Sequence, residues 1–187
     1  MDAFKEIFKN RYRLSDSDVQ TLLDCMEEVR FKKKEVIVRE GTKSTNLYLI
    51  KQGIWRGHYL KDGVDTTIWF ASEGEAAFSA WGYVDNSCSL VSIEAMCDST
   101  AYRISGTALN ELYTSSIGLA NLGRKLMEHQ LLGMENWLIS AGSPRAKERY
   151  LTLTKEMPEL LQCVPLKYIA SYLWITPQSL SRIRAEK

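Results

Sequence analysis

The sequence predicts an α+β protein, with a β-rich body between two helical regions. Three observations carry this. Within residues 31–104, short runs rich in β-branched and aromatic residues recur about every ten residues. A proline-free, apolar-rich stretch at about 116–140 reads as one long helix. Beyond it, residues 143–187 hold eight Lys/Arg against four Asp/Glu, so this quarter is net positive and the remainder net negative.

Composition bounds the answer first. A chain of 187 residues suits one or two domains, and 45% hydrophobic with 25% charged residues is ordinary globular composition. Disordered, collagen-like and disulfide-dense classes are excluded. Cys25, Cys88, Cys97 and Cys163 are widely spaced, with no CxxC and no Cys/His pair at metal spacing. Together with a charged N-terminus lacking a secretory leader, this predicts reduced thiols, no metal and a cytoplasmic protein. No stretch approaches the roughly 18–20 apolar residues of a membrane helix.

Residues 1–30 read as helix, with Phe4, Ile7 and Phe8 at helical spacing and a cap offered by Ser15-Asp-Ser-Asp18 before Val19, Leu22, Leu23 and Met26. Strands follow at 36–38, 47–50, 54–60, 66–70, 90–93 and 100–104. They are punctuated by Glu40-Gly41, Gln52-Gly53, Asp62-Gly63, Glu73-Gly74 and Asp85-Asn86. Asp62-Gly63 is a hairpin signal, because a tight turn demands positive φ. Such a strand series forms a sandwich or barrel, whose interior is expected to draw on Trp55, Trp69, Phe70, Phe78 and Trp81. A short helix spans 105–114. The long helix carries Leu119, Leu122, Leu126, Leu131, Leu132, Met134, Trp137 and Leu138, a stripe too broad for one buried face. It packs on its own domain and a neighbour, or on its copy in a second chain. Ala141-Gly-Ser-Pro144 ends it, with Gly as C-cap, Ser as N-cap and Pro opening the next helix. The domains are therefore 1–142 and 143–187.

The C-terminal unit reads as helices at about 144–156, 158–162, 165–172 and 177–186. The last two fit a helix-turn-helix. Ile169 and small Ala170 allow a close crossing, Leu173 and Ile175 fill the turn, and Leu180 and Ile183 face inward. Thr176 is an N-cap and Pro177 the first helical residue. Gln178, Ser179, Ser181, Arg182 and Arg184 are left outward. Arg and Gln pair in bidentate fashion with guanine and adenine edges, and Thr176 with the helix N-terminus suits a phosphate. Arg145, Lys147 and Arg149 are further phosphate-contact candidates, or a solvated face.

The β-rich body, the long helix and the run Tyr168-Ile-Ala-Ser-Tyr-Leu-Trp-Ile-Thr-Pro-Gln-Ser-Leu-Ser-Arg-Ile, with Pro144-Arg-Ala-Lys-Glu-Arg-Tyr-Leu151 upstream, resemble the CRP/FNR family of bacterial transcription regulators. The resemblance implies a cyclic-nucleotide-binding-like jelly roll, a homodimer through the helix at about 116–140, and a helix in the DNA major groove. It places Gln178, Ser181 and Arg182 at base-contacting positions and Thr176 and Ser179 at phosphate-contacting ones. Implied partners are double-stranded DNA, RNA polymerase and a small-molecule effector, with no cofactor.

The sequence departs from the family at three places. The family's Gly-Glu and Arg-Ser/Thr pairs, which hold ribose and cyclic phosphate, fall at Phe78-Ser79 and Ser89-Leu90. Neither carboxylate nor guanidinium is present, so cAMP and cGMP are not expected to bind; these four residues stand as the ligand-pocket candidates. Trp174 occupies a turn position usually held by Gly. Lys187 follows directly on the second helix, without an evident β-hairpin wing. Clustered N-terminal cysteines for an iron–sulfur cluster are missing, and His58 and His129 read as structural or exposed rather than haem-ligating. Walker, GxSxG, HExxH and GxGxxG motifs are absent, so no catalytic residues and no enzyme are expected. The alternative to a DNA-binding regulator is a small-molecule sensor or adaptor whose helical C-terminus mediates protein contacts.

Overall fold

The computed structural model describes residues 3–142 and 145–186. Two helices open the chain, α1 (Ala3–Tyr12) and α2 (Asp16–Asp24). The Ser15 hydroxyl caps α2 by accepting from the Asp18 amide at 3.1 Å. The helical reading of 1–30 is corrected at its end. Residues Glu27–Phe31 form strand β1, on the edge of a sheet, where a charged sequence with one valine pairs only with the last strand.

The body continues with β2 (Val36–Val38), β3 (Leu47–Gln52), β4 (Trp55–Lys61), β5 (Val64–Ala71), β6 (Ala76–Phe78), helix α3 (Ala80–Asp85), β7 (Ser92–Ala95) and β8 (Ser99–Ile104). Two four-stranded antiparallel sheets result, ordered β1-β8-β3-β6 and β2-β7-β4-β5. Sequence-consecutive strands are shared between sheets, as a jelly roll requires. The Asp62-Gly63 hairpin forms as expected, with φ of 52° and 79° at its two central residues.

Strand β3 is buried on both faces, which explains its unbroken apolar run. Leu47 and Leu49 pack with α1, α2 and the later helices, while Tyr48 and Ile50 point between the sheets. The inter-sheet space holds Trp55, Ile93, Ala77, Ala95 and Ala101, with Phe31, Tyr48 and Trp55 in mutual edge contact at 5.3–6.0 Å. Trp69 lies over Gly57, where its ring leaves no room for a Cβ. Of the other aromatic residues expected inside, Phe78 belongs to the helical layer and Phe70 to the C-terminal seam.

Helices α4 (Gly106–Ser115) and α5 (Ile117–Gly142) follow. The first half of α5 buries Leu119, Leu122 and Leu126. Its second half exposes Leu131, Leu132, Met134, Leu138 and Ile139 at 56–75%. The C-terminal unit comprises α6 (Ala146–Glu156), α7 (Leu160–Cys163), α8 (Leu166–Tyr172) and α9 (Pro177–Ala185). The Ser143 cap and Pro144 start lie outside the described residues. Among the described residues no helix is long and apolar enough to cross a membrane.

Candidate functional site

Helix α9 is presented by the packing beneath it. Ile169, Ala170 and Leu180 are fully buried and Leu173 nearly so, and small Ala170 lets α8 and α9 approach. Ile175 and Ile183 are half-buried rather than enclosed. The Thr176 hydroxyl accepts from the Ser179 amide at 3.1 Å and lies 3.0 Å from the Ser179 hydroxyl. Pro177 takes the first helical position. With Leu180 inward, Gln178, Ser181, Arg182 and Arg184 are all exposed, whereas Ser179 is half-buried. The structure thus assembles one solvent-facing cluster of amide, hydroxyl and guanidinium groups.

Trp174 adopts positive φ, 56°, in the turn between α8 and α9. A non-glycine residue there carries strain of roughly 1–2 kcal/mol. Its ring packs on Trp137 of α5, with centroids 5.6 Å apart, which offsets part of that strain. Arg149 is turned inward: its guanidinium donates to the Leu173 carbonyl at 2.9 Å, tying α6 to the same turn. Arg145 and Lys147 stay exposed, in ion pairs with Glu148 and Glu186.

The four pocket candidates are not brought together around a cavity. Phe78 packs against Tyr83 in the helical layer. Ser79 is buried as the N-cap of α3, accepting from the Gly82 amide. Buried Ser89 donates to the Val91 carbonyl at 2.7 Å. Leu90 is 60% exposed and so lines no interior. Cavities of about 240 and 100 Å³ lie elsewhere, the first between α1 and α2, the second beside Lys33, Glu94 and Tyr168.

Sequence reasoning missed the seam between the barrel and the C-terminal helices. Arg56, 1% exposed, spends all five N–H donors there. It bonds Asp65 bidentately at 2.7 and 2.8 Å, Glu94 at 2.8 and 3.0 Å, and the Thr67 hydroxyl at 3.1 Å. The Tyr168 ring of α8 covers it, 3.6 Å from the guanidinium carbon. Burial lowers the affinity of Arg56 for its proton, but the two carboxylates outweigh that and raise it. Burial would raise Asp65, yet Arg56 holds its carboxyl below the ordinary value. Burial first, then Arg56, pushes the His58 imidazole below its ordinary value, with its nitrogens 3.6 Å from Asp65 and Glu94. Ser171 of α8 donates to the Asp65 carbonyl and accepts from the Thr67 amide at 2.9 Å. It thereby satisfies backbone groups on the open edge of β5. The only sequence signal was a charged Arg56 inside an apolar strand run.

The geometry defines a two-sheet antiparallel jelly roll joined by a long helix to a packed helical unit. The sequence profile of the cyclic nucleotide-binding domain matches residues 28–116. Among solved structures, the chain is similar to FixK2 from Bradyrhizobium japonicum, with a TM-score of 0.75 and 20% identity over 86% of this chain and 83% of that one. It is similar to the c-di-GMP-responsive global regulator CLP of Xanthomonas campestris, with a TM-score of 0.71 and 13% identity over 92% and 91%. A CooA mutant from Carboxydothermus hydrogenoformans gives 0.68 and 16% identity over 94% and 86%. These neighbours share the fold, as does a transcriptional regulator of the crp/fnr family from Eubacterium rectale, with a TM-score of 0.67 and 19% identity over 91% and 82%. No curated protein matches the sequence.

Proposed function

We propose that this chain is a sequence-specific DNA-binding transcription regulator of the CRP/FNR type. In this reading residues 143–187 are its DNA-binding domain, and α8 and α9 form its helix-turn-helix. The observation that carries the reading is the exposed face of α9. Gln178, Ser181, Arg182 and Arg184 stand free on a helix anchored by Leu180. Arg182 and Gln178 read base edges in the major groove, while Thr176 and Ser179 at the helix start meet phosphate. The apolar second half of α5 pairs with its copy, so that two α9 helices face half-sites about 34 Å apart. RNA polymerase is the expected protein partner, and the expected compartment is the cytoplasm.

The nucleotide site is read as degenerate. Phe78, Ser79, Ser89 and Leu90 offer neither carboxylate nor guanidinium. Arg56 is the one buried arginine among the described residues, and it is fully engaged at the seam. Packed aromatic side chains occupy the inter-sheet space. Any effector is therefore something other than cAMP.

A mobility-shift titration on random duplex tests the reading. Retardation that weakens steeply as salt rises is expected, because phosphate contacts release counterions. No retardation at low salt would overturn it in favour of a protein-contact role for the C-terminal helices.

A further inference from the structure

Four cysteines are free in this structure, and two of them meet. Cys97 sits in the short connection between β7 and β8 of the barrel, and Cys163 ends α7 of the C-terminal unit. The two are 66 residues apart in sequence, yet both pack against one cluster that includes Met96, Leu160 and Val164. Their side chains are within hydrogen-bonding reach of each other.

Both positions are held from below. Met96, 2% exposed, donates its amide to the Ile54 carbonyl at 2.7 Å. The Ser99 hydroxyl donates to the Cys97 carbonyl at 2.7 Å. On the other side, the Val164 amide closes the α7 turn onto the Leu160 carbonyl at 2.8 Å, with Leu160 fully buried. Both cysteines are therefore carried on packed, hydrogen-bonded backbone beside the same cluster. Both residues remain partly open to solvent, whereas Cys25 and Cys88 are exposed and stand apart from the seam.

We propose that Cys97 and Cys163 form a redox-modification site, a reversible disulfide that staples the barrel to the C-terminal helices. The oxidant class is a peroxide. One of the two thiolates attacks a peroxide oxygen, becoming a sulfenic acid as hydroxide leaves. The partner sulfur then attacks the sulfenic sulfur, and water leaves as the S–S bond forms. Two thiols lose two electrons and two protons, and hydrogen peroxide is reduced to two waters. Burial, together with the Cys97 partner, pushes the Cys163 thiol above its ordinary value. The bond needs a sulfur separation of about 2.05 Å, so the two side chains must close from hydrogen-bonding reach to bonding distance as it forms. Closing it links the two units beside the Arg56–Tyr168 contact, so oxidation fixes the seam covalently.

The test uses the full chain carrying Cys25→Ser and Cys88→Ser, treated with hydrogen peroxide and then freed of it. The expected result is a fall from two titratable thiols to none with a mass loss of about 2 Da. Peptide mapping without reductant should show one linked pair containing Cys97 and Cys163 within a single chain, and dithiothreitol should restore both thiols. The same linked peptides are expected from the wild-type chain, which guards against a variant that folds badly. With Cys97→Ser or Cys163→Ser added, the remaining thiol of the pair should stop at a dimedone-trapped sulfenic acid. Thiols that survive peroxide would overturn the assignment, as would separate over-oxidation of each or links formed only between chains.

Discussion

Replacing Arg56 by methionine is the sharpest test of how the barrel holds the C-terminal helices. The change keeps much of the side-chain length and removes the charge. Five hydrogen bonds are lost, to Asp65, Glu94 and Thr67, along with the contact to Tyr168. The Glu94 side chain is 12% exposed and that of Asp65 34%, so two carboxylates are left close together with little water to compensate them. Breaking a buried ion pair by removing one partner costs about 3–5 kcal/mol. At about 2–4 °C per kcal/mol for a chain of this size, Tm should fall by roughly 6–20 °C. Urea unfolding followed by tryptophan fluorescence reads the same loss, and native-state hydrogen exchange should show α8 opening first. Adding Asp65→Asn and Glu94→Gln to the variant should recover a large part of the loss, because the stranded charges go with them. An Arg56→Met chain within about 1 kcal/mol of wild type, or no recovery in the triple variant, would refute the reasoning.

Other outcomes follow from the same geometry. The His58 imidazole is held below its ordinary value of 6.5, so the unfolded chain takes up that proton first as pH falls. The stability due to neutral His58 is present above about pH 6.5 and lost below it, and thermal melts of His58→Gln should lack this first decline. The Asp65 contribution is present above its ordinary value of 3.8 and is lost as pH falls further, through its lowered folded value. Leu131→Asp with Leu138→Asp alters side chains that are 61% and 59% exposed. Sedimentation should therefore report a monomer with unchanged circular dichroism. Arg182→Ala should weaken operator binding by about 1–3 kcal/mol and relax preference at one base pair, read by competition mobility shift. Calorimetric titration with cAMP should show no heat of binding at micromolar concentrations, and a micromolar Kd would refute the degenerate-site reading.

What the sequence made legible was mostly local. Runs of β-branched and aromatic residues mark β3, β4 and β5, and turn glycines separate them. Strand β1 was hidden because Glu27-Glu-Val-Arg-Phe31 lies on a sheet edge and needs little apolar content. Strand β6 is three residues of small and aromatic type, and α3 is barely more than a turn, so neither leaves a periodic signature. The α9 cluster was readable because cap, proline and apolar spacing all lie within nine residues. The Arg56 cluster and the Cys97–Cys163 pair were not, because their partners lie up to 112 residues apart and meet only after the C-terminal helices dock on β5. The pocket residues were placed by position in a resemblance. Ser79 and Ser89 instead spend their hydroxyls on local backbone, which periodicity does not reveal.

The most direct measurement is in vitro selection from random duplex with the purified full chain, followed by footprinting of the enriched sequences. The account predicts a two-fold symmetric motif with half-sites one helical turn apart, protected by the wild-type chain and lost with Gln178→Ala and Arg182→Ala together. Enrichment of no motif, or a motif bound equally by that double variant, would contradict it.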